Sequence, residues 1–327
     1  MKVGTIAYST SRGLGHLAKS FIDHGLITDI LVVKHPGVPM NDWYPDAPKT
    51  DLRSLDHGLM QDFVSDKEAM LFFETPFWWP IIPYCESIGV RTYLITMYEC
   101  TPTTHSVPHK YICPSLLDMK YFPERSVFLP LPVEYPWKLR TRAEWFIHNG
   151  GYLGMRGREG TILLIEAMSM VKSPIRLTVR VQENVPAQWQ KRLAVDKRCE
   201  YIAETVPYYD LYGSGDVVVQ PQKFNGCSLP LQEARASGML VMTTDRYPMN
   251  TWLPREPLIP VAGYTKQRIG GAYLEFDEAT INPEDIAATI DKWYGADITE
   301  YSEWAPHWAS LMSWEVLLPE YRRVLES

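Results

Sequence analysis

Three glycine-bearing stretches, two of them with cations or carboxylates, have spacings suited to a phosphorylated substrate. The first is Gly13-Leu14-Gly15, between an apolar run and a segment of helical spacing. Missing side chains there let backbone approach a phosphate at a helix N-terminus, although a tight turn explains the same residues. Ala18 breaks the G-x-G-x-x-G pattern, so nicotinamide binding is a poor reading. The second runs from His148-Asn149-Gly150-Gly151 through Arg156, Gly157, Arg158, Glu159 and Gly160 to Thr161. Glycine-rich backbone with two guanidinium groups is what a diphosphate requires, because arginine offers paired donors to phosphate oxygens. A solvated loop with scattered charges is the plainer alternative. The third is Pro221-Gln222-Lys223-Phe224-Asn225-Gly226-Cys227-Ser228-Leu229-Pro230-Leu231-Gln232-Glu233-Ala234, leading into a helix. Backbone N–H groups at that helix start can cradle phosphate, and Glu233, one turn in, can accept from ribose hydroxyls. Against this stands an ordinary connection with Glu233 facing solvent.

The elements that must position these residues follow from short apolar runs. Residues 2–8, 29–34, 69–73, 91–96 and 110–113 read as strands bounded by turn residues, with a helix over 16–24. The intervals between them are long enough for the crossovers of a parallel α/β sheet. Residues 128–137 carry three prolines and no helical period, which predicts an extended linker and a domain boundary near Leu139. A second series follows, with strands at 145–149, 175–181, 199–203, 216–220 and 239–243 and a helix over 161–171. Two helices close the chain, over 283–294 and roughly 302–325. The latter carries one apolar stripe through Trp304, Trp308, Leu311, Trp314, Leu318, Tyr321 and Leu325, with Pro319 expected to kink or divide it.

A chain of 327 residues exceeds ordinary single-domain size, and its 46% hydrophobic and 22% charged residues are globular composition. Five cysteines without a C-x-x-C pair suggest neither a disulfide framework nor a zinc site. No signal-peptide core and no membrane-length apolar run is present, so a cytoplasmic location is expected, with contact to a membrane surface left open. A net charge of −7 gives no global attraction to nucleic acid.

The second and third stretches resemble the nucleotide-sugar half of the large family of retaining GT-B glycosyltransferases. Arg158 and Gly160 match the Arg and Gly of that family's Arg-Lys-Gly element, with Glu159 where Lys is usual. Gly226, Leu229, Pro230, Glu233, Ala234, Gly238 and Val241 match the later element. Glu233 occupies the second acid of the E-x7-E motif, which implies a ribose contact, and Asn225 replaces the first. The tail with Ser313-Trp314 and Tyr321 is similar to the family's closing helix, which packs back on the first domain. The resemblance implies a GT-B α/β fold: two Rossmann-like domains with parallel sheets facing a central cleft. The domains are expected over residues 1–138, completed by helix 302–327, and 139–301.

The implied activity is transfer of a sugar from a UDP- or GDP-linked donor to a hydroxyl acceptor, with retention and without metal or other cofactor. Arg158, Asn225, Glu233, Tyr98 and Glu99 are the expected catalytic residues. Tyr98 and Glu99 stand where the family often carries a His-Asp pair, and His105 and His109 lie shortly beyond. Donor contacts are expected from Gly13, Gly15, Gly151, Arg156, Arg158, Lys223, Gly226, Cys227, Ser228, Leu229 and Glu233. The acceptor is a saccharide, a lipid-linked glycan or a modified DNA base, the last with phosphate contacts from Arg12, Lys110 and Lys120. The segment Glu74-Thr75-Pro76-Phe77-Trp78-Trp79-Pro80 offers either an aromatic acceptor platform or plain packing. A nucleotide-sugar epimerase or hydrolase and a silent sugar-nucleotide-binding module are the other readings.

Overall fold

A computed structural model of the chain describes residues 1–103, 106–151, 157–182, 185–251, 257–268 and 275–327. The expectations placed on Arg156 and His105 lie outside the described residues. The chain divides into two units: Met1–Leu131 with Trp314–Ser327, and Pro132–Gln267 with Glu275–Ser313.

The first unit contains β1 (Val3–Tyr8), α1 (Gly13–Asp23), β2 (Asp29–Lys34), β3 (Lys49–Asp51), α2 (His57–Val64), β4 (Ala69–Phe73), α3 (Ile81–Ser87), β5 (Arg91–Ile95), β6 (Lys110–Cys113), α4 (Leu116–Tyr121) and β7 (Ser126–Phe128). Its seven strands run β3-β2-β1-β4-β5-β6-β7, and every pairing is parallel. Central strands are continuous apolar runs because a parallel sheet is covered on both faces; β4, AMLFF, is buried throughout. Strand order reverses between β1 and β4, so the segments after those two strands share the switch point where such sheets take ligands.

The second unit contains β8 (Trp145–Gly151), α5 (Thr161–Ala167), β9 (Arg176–Val181), α6 (Ala187–Val195), β10 (Cys199–Ile202), β11 (Val217–Gln220), α7 (Leu229–Ala236), β12 (Leu240–Thr244), β13 (Leu258–Ile259), β14 (Gly263–Gln267), β15 (Phe276–Thr280), α8 (Pro283–Trp293) and α9 (Thr299–Leu311). Six parallel strands follow the order β10-β9-β8-β11-β12-β13, and β14 pairs with β15 as an antiparallel ribbon. Order reverses between β8 and β11. Residues 157–160, which follow β8, and the Pro221 stretch after β11 therefore meet at one switch point.

Several expectations are corrected. Gly13-Leu14-Gly15 is not a loop ahead of the helix but the first turn of α1. A Cβ on Gly15 would sit 2.1 Å from the Thr10 carbonyl oxygen, so this glycine is required by the strand-to-helix packing, whereas Gly13 faces open space. Phe128 belongs to β7 rather than to the extended linker. The closing helix is broken at Met312 and Ser313, not at Pro319, which lies inside α10 (Trp314–Glu326). The apolar stripe accordingly serves two helices. Trp314, Leu317, Tyr321 and Leu325 are buried on α10, while Trp304 and Leu311 are exposed on α9. α10 is held to the first unit by Trp314 Nε1 donating to Ser20 Oγ (2.8 Å), Tyr321 Oη to the Pro130 carbonyl (3.0 Å), and the Phe21 ring set edge-on to Trp314 and Tyr321.

In the second unit a buried arginine, Arg140, donates to the carbonyls of Lys138 (2.6 Å), Gly215 (3.1 Å), Tyr212 (2.6 Å) and Ser237. Burial lowers its pKa to about 10. Its four carbonyl partners tie residues 138–140 to the C-terminal end of α7, where the helix dipole favours a cation. No described helix is long and apolar enough to cross a membrane.

Candidate functional site

The switch point of the second unit is knotted by one buried carboxylate. Glu159 Oε2 accepts from Gln220 Nε2 (3.0 Å) and Gln222 Nε2 (2.6 Å), and Oε1 accepts from Arg158 Nε (2.8 Å). Gln222 Oε1 in turn accepts from Ser228 Oγ at 2.8 Å. The backbones join as well: Lys223 N–H donates to the Arg158 carbonyl (2.8 Å). Gly160, at φ +71°, lies against Pro221 so closely that a Cβ would come within 2.2 Å of its carbonyl oxygen. Two segments some 60 residues apart in sequence thus share one polar cluster, with Arg158, Lys223 and the start of α7 in it. Lys223 Nζ also pairs with Glu278 (3.1 Å) on β15.

Asn225 is buried, and its Oδ1 accepts from the N–H groups of Cys227 (3.1 Å) and Ser228 (2.7 Å). Those are two of the amides expected to cradle phosphate, and here the chain's own amide side chain takes them. Asn fits this position because a short amide can close an Asx turn on the backbone two residues ahead. Ser228, at the N-cap of α7, has φ +48° without being glycine, a conformation that stores strain. The Gln222 contact of its hydroxyl holds it there. Gly226 and Cys227 are buried beside it, and Leu229 opens the helix half-buried. Gly151 ends β8 at a bulge with φ +60° and open space around its α-carbon.

Glu233 belongs to a second cluster. Its carboxylate accepts from Tyr208 Oη (2.8 Å), so it does not face open solvent. Tyr208 sits in the single turn Tyr208–Asp210 after β10, where Tyr135 Oη donates to the Tyr208 carbonyl (2.8 Å) and accepts from the Tyr212 N–H (3.0 Å). Burial pushes the Glu233 carboxyl up to about 7, against the hydrogen bonds from Tyr208 and Tyr212. Nothing in the Glu233 stretch itself pointed to this tyrosine. Its signal was the repeat of hydroxyls in Tyr208-Tyr209-Asp210-Leu211-Tyr212.

His148, within the glycine-rich stretch, is structural. It is fully buried; Nδ1 donates to the Val219 carbonyl (2.8 Å), and Nε2 accepts from Thr161 Oγ1 (2.7 Å). Burial lowers its pKa, which keeps the neutral ring these bonds require.

In the first unit, Tyr98 and Glu99 are fully buried, and Tyr98 stacks on Tyr121 at 5.3 Å. The Tyr98 N–H donates to Asp118 Oδ1 (2.8 Å), and burial raises the Asp118 carboxyl to about 7, with Glu99 adding to the shift. Both are interior groups in this structure. His109 and Lys110 stand at the amino end of β6, the opposite sheet edge from Arg12 at the N-cap of α1, so the three do not line one surface. At the carboxyl edge, Tyr8 meets Phe77 (4.9 Å) and His35 (5.6 Å) edge-on, and Trp78 stacks on His57 (4.3 Å). Glu74 and Phe77 both have positive φ, at 60° and 62°. The segment after β4 is thus an aromatic surface at the β1/β4 switch point.

No protein-family model matches the sequence, and no curated protein does. Solved structures do. A glycosyltransferase from Rickettsia africae aligns with 100% of this chain and 99% of its own at 13% identity and a TM-score of 0.68. Sucrose-phosphate synthase from Thermosynechococcus elongatus aligns over 100% and 98%, with 13% identity and a TM-score of 0.68. The fold is GT-B. HepE from Anabaena, solved in complex with UDP-glucose, aligns over 100% and 99% at 11% identity and a TM-score of 0.68. The GT-B likeness spans whole chains on both sides, so it covers both sheets.

Proposed function

We propose that this chain is a glycosyltransferase that takes a sugar from a UDP- or GDP-linked donor held by its second unit and gives it to a hydroxyl acceptor, with retention and without a metal. The observation that carries the reading is the joining of Arg158, Lys223 and the start of α7 at the β8/β11 switch point. As the glycosidic bond breaks, negative charge gathers on the leaving diphosphate. Donors fixed in advance stabilise that charge without reorganising, and such preorganisation usually contributes more to catalysis than any other single effect. Arg158 supplies the guanidinium, Lys223 an ammonium paired in the free protein with Glu278, and the α7 start its helix dipole, while Asn225 holds the Cys227 and Ser228 amides of that turn in place. Glu233 takes the ribose hydroxyls in place of Tyr208. Tyr98 and Glu99 brace the carboxyl edge of the first sheet from the interior of that unit, and the surface after β4 suits a saccharide acceptor, since sugar rings pack on aromatic faces.

The pH dependence follows from Glu233. Its ordinary pKa is 4.5 and its folded value about 7. The ionised carboxylate is the form that accepts from two ribose hydroxyls. UDP affinity is therefore expected to climb by up to about tenfold per pH unit below 7 and to level off above it. Calorimetric titrations from pH 5.5 to 8.5 measure this, and Glu233→Gln should flatten the profile. Stability of the free protein runs the other way. A folded pKa above the unfolded one means tighter proton binding when folded, so this group's contribution is full below about 4.5 and is lost as pH rises through 7.

Incubation with a panel of UDP- and GDP-sugars and oligosaccharide acceptors, with products resolved by mass spectrometry, tests the activity. Transfer with retained anomeric configuration is expected. Absence of both transfer and donor hydrolysis, with UDP affinity unaffected by Arg158→Ala, would defeat the proposal.

A further inference from the structure

The amino edge of the first sheet carries a cavity of about 160 Å³ that the reaction does not use. Three neighbouring parallel strands bring basic side chains to it: Arg91 opens β5, His109 precedes β6 and Arg125 precedes β7. Among the described residues the guanidinium of Arg125 has no hydrogen-bond or ionic partner, and that of Arg91 meets only the Met1 sulfur, at 3.4 Å. His109 Nε2 lies 3.2 Å from the Ser327 carbonyl oxygen. Glu86 on α3 is the one carboxylate in the lining, and neither arginine pairs with it.

Arg125 also has φ +52°. A left-handed backbone favours glycine or asparagine, and a long side chain there is held at a conformational cost. The backbone there is held by the Tyr111 N–H donating to the Arg125 carbonyl (2.9 Å), but the side chain does not repay the cost, since it is exposed and its guanidinium has no partner among the described residues. Strain of this kind clusters at ligand sites, where it aims a side chain.

We propose that this cavity is a binding site for a small phosphate dianion or phosphomonoester, separate from the donor site. Strands lie about 4.8 Å apart, so Arg91 and Arg125, both in the lining, start roughly 10 Å from each other, and the Arg91 guanidinium has to turn from the Met1 sulfur to share a ligand with Arg125. A tetrahedral dianion presents oxygens to both guanidinium forks at once, whereas a planar carboxylate satisfies one fork. The apolar wall of Ile82, Val90 and Val107 excludes water from one side and accommodates the carbon body of an ester. Parallel sheets carry their chemistry at the carboxyl edge. An anion at the amino edge therefore acts as an effector and not as a substrate.

Titration of the full chain with inorganic phosphate at fixed ionic strength, followed by calorimetry, tests the site. Saturable one-to-one binding is expected in the native chain and in Arg158→Ala, at least tenfold weaker in Arg91→Gln and in Arg125→Gln, with acetate at least tenfold weaker than phosphate. Retained UDP affinity in the two glutamine variants shows that they are folded. Absence of saturable binding, loss of binding in Arg158→Ala, full binding in both glutamine variants, or equal affinity for acetate would each overturn the assignment.

Discussion

Arg158→Ala is expected to lower the transfer rate by about 100- to 1,000-fold, which is roughly 2.7–4 kcal/mol of transition-state stabilisation, the measured scale for one preorganised donor at a developing anion. The effect should fall on kcat more than on donor KM, because the diphosphate gains charge only as the sugar leaves. Folding should survive the change. Glu159 keeps its two amide donors, Gln220 and Gln222, after the guanidinium is gone. Steady-state kinetics with a UDP-sugar, alongside a thermal melt, separates the two effects. A rate within threefold of the native value would remove Arg158 from the chemistry. Arg158→Lys should recover little, since a point charge does not reproduce the paired donors of a guanidinium.

Substitution of Glu159 is expected to produce the largest loss of stability. The carboxylate is buried and serves three donors at once, from Arg158, Gln220 and Gln222. Replacing it with leucine leaves Gln220 and Gln222 each with a buried amide N–H short of an acceptor and removes the carboxylate to which Arg158 Nε donates. Breaking a buried ionic contact from one side costs about 3–5 kcal/mol. For a unit of this size that lowers the melting midpoint by roughly 6–20 °C. Glu159→Lys should be at least as damaging, because an ammonium would face two amide donors and a guanidinium. Glu159→Gln, which keeps an acceptor oxygen in place, should lose distinctly less. A midpoint for Glu159→Leu within 2 °C of the native protein, measured by calorimetry, would show that the cluster does not hold the switch point together.

These two residues adjoin in the sequence yet are legible to different degrees. Arg158 could be singled out from its neighbours alone, because guanidinium in glycine-rich backbone before a helix has a short list of uses. Glu159 could be seen only as an oddity, an acid where the resembling family places a lysine. Its partners lie about 60 positions away at the end of β11, and nothing local announces them. Gln220 and Gln222 were polar residues closing an apolar strand, a pattern equally consistent with a solvent-facing turn. Asn225 changed meaning in the same way. Its spacing from Glu233 matched a motif, but its side-chain oxygen is spent on two backbone amides of its own turn.

What the sequence determined by itself was the set of elements and their kind. A buried parallel strand must be apolar over four to six consecutive residues, and the helix that follows must show a 3.6-residue stripe, so both signals are complete within a short window. Ala69–Phe73 and Lys110–Cys113 could be read to the residue for that reason. Short edge strands such as Lys49–Asp51 and Ser126–Phe128 could not, since each is held by one neighbour and carries little apolar pattern. The C-terminal stripe misled for a related reason: spacing of three to four residues is the same whether one helix or two supply it, and only packing located the break at Met312. The tertiary structure alone decided which polar groups were interior and which were available. Tyr98 and Glu99 became core, Glu233 acquired a tyrosine, and Arg91 and Arg125 came to line one cavity. Each of those outcomes depends on contacts between segments far apart in the chain, where burial and hydrogen-bond partners are set by strand order and not by neighbouring residues.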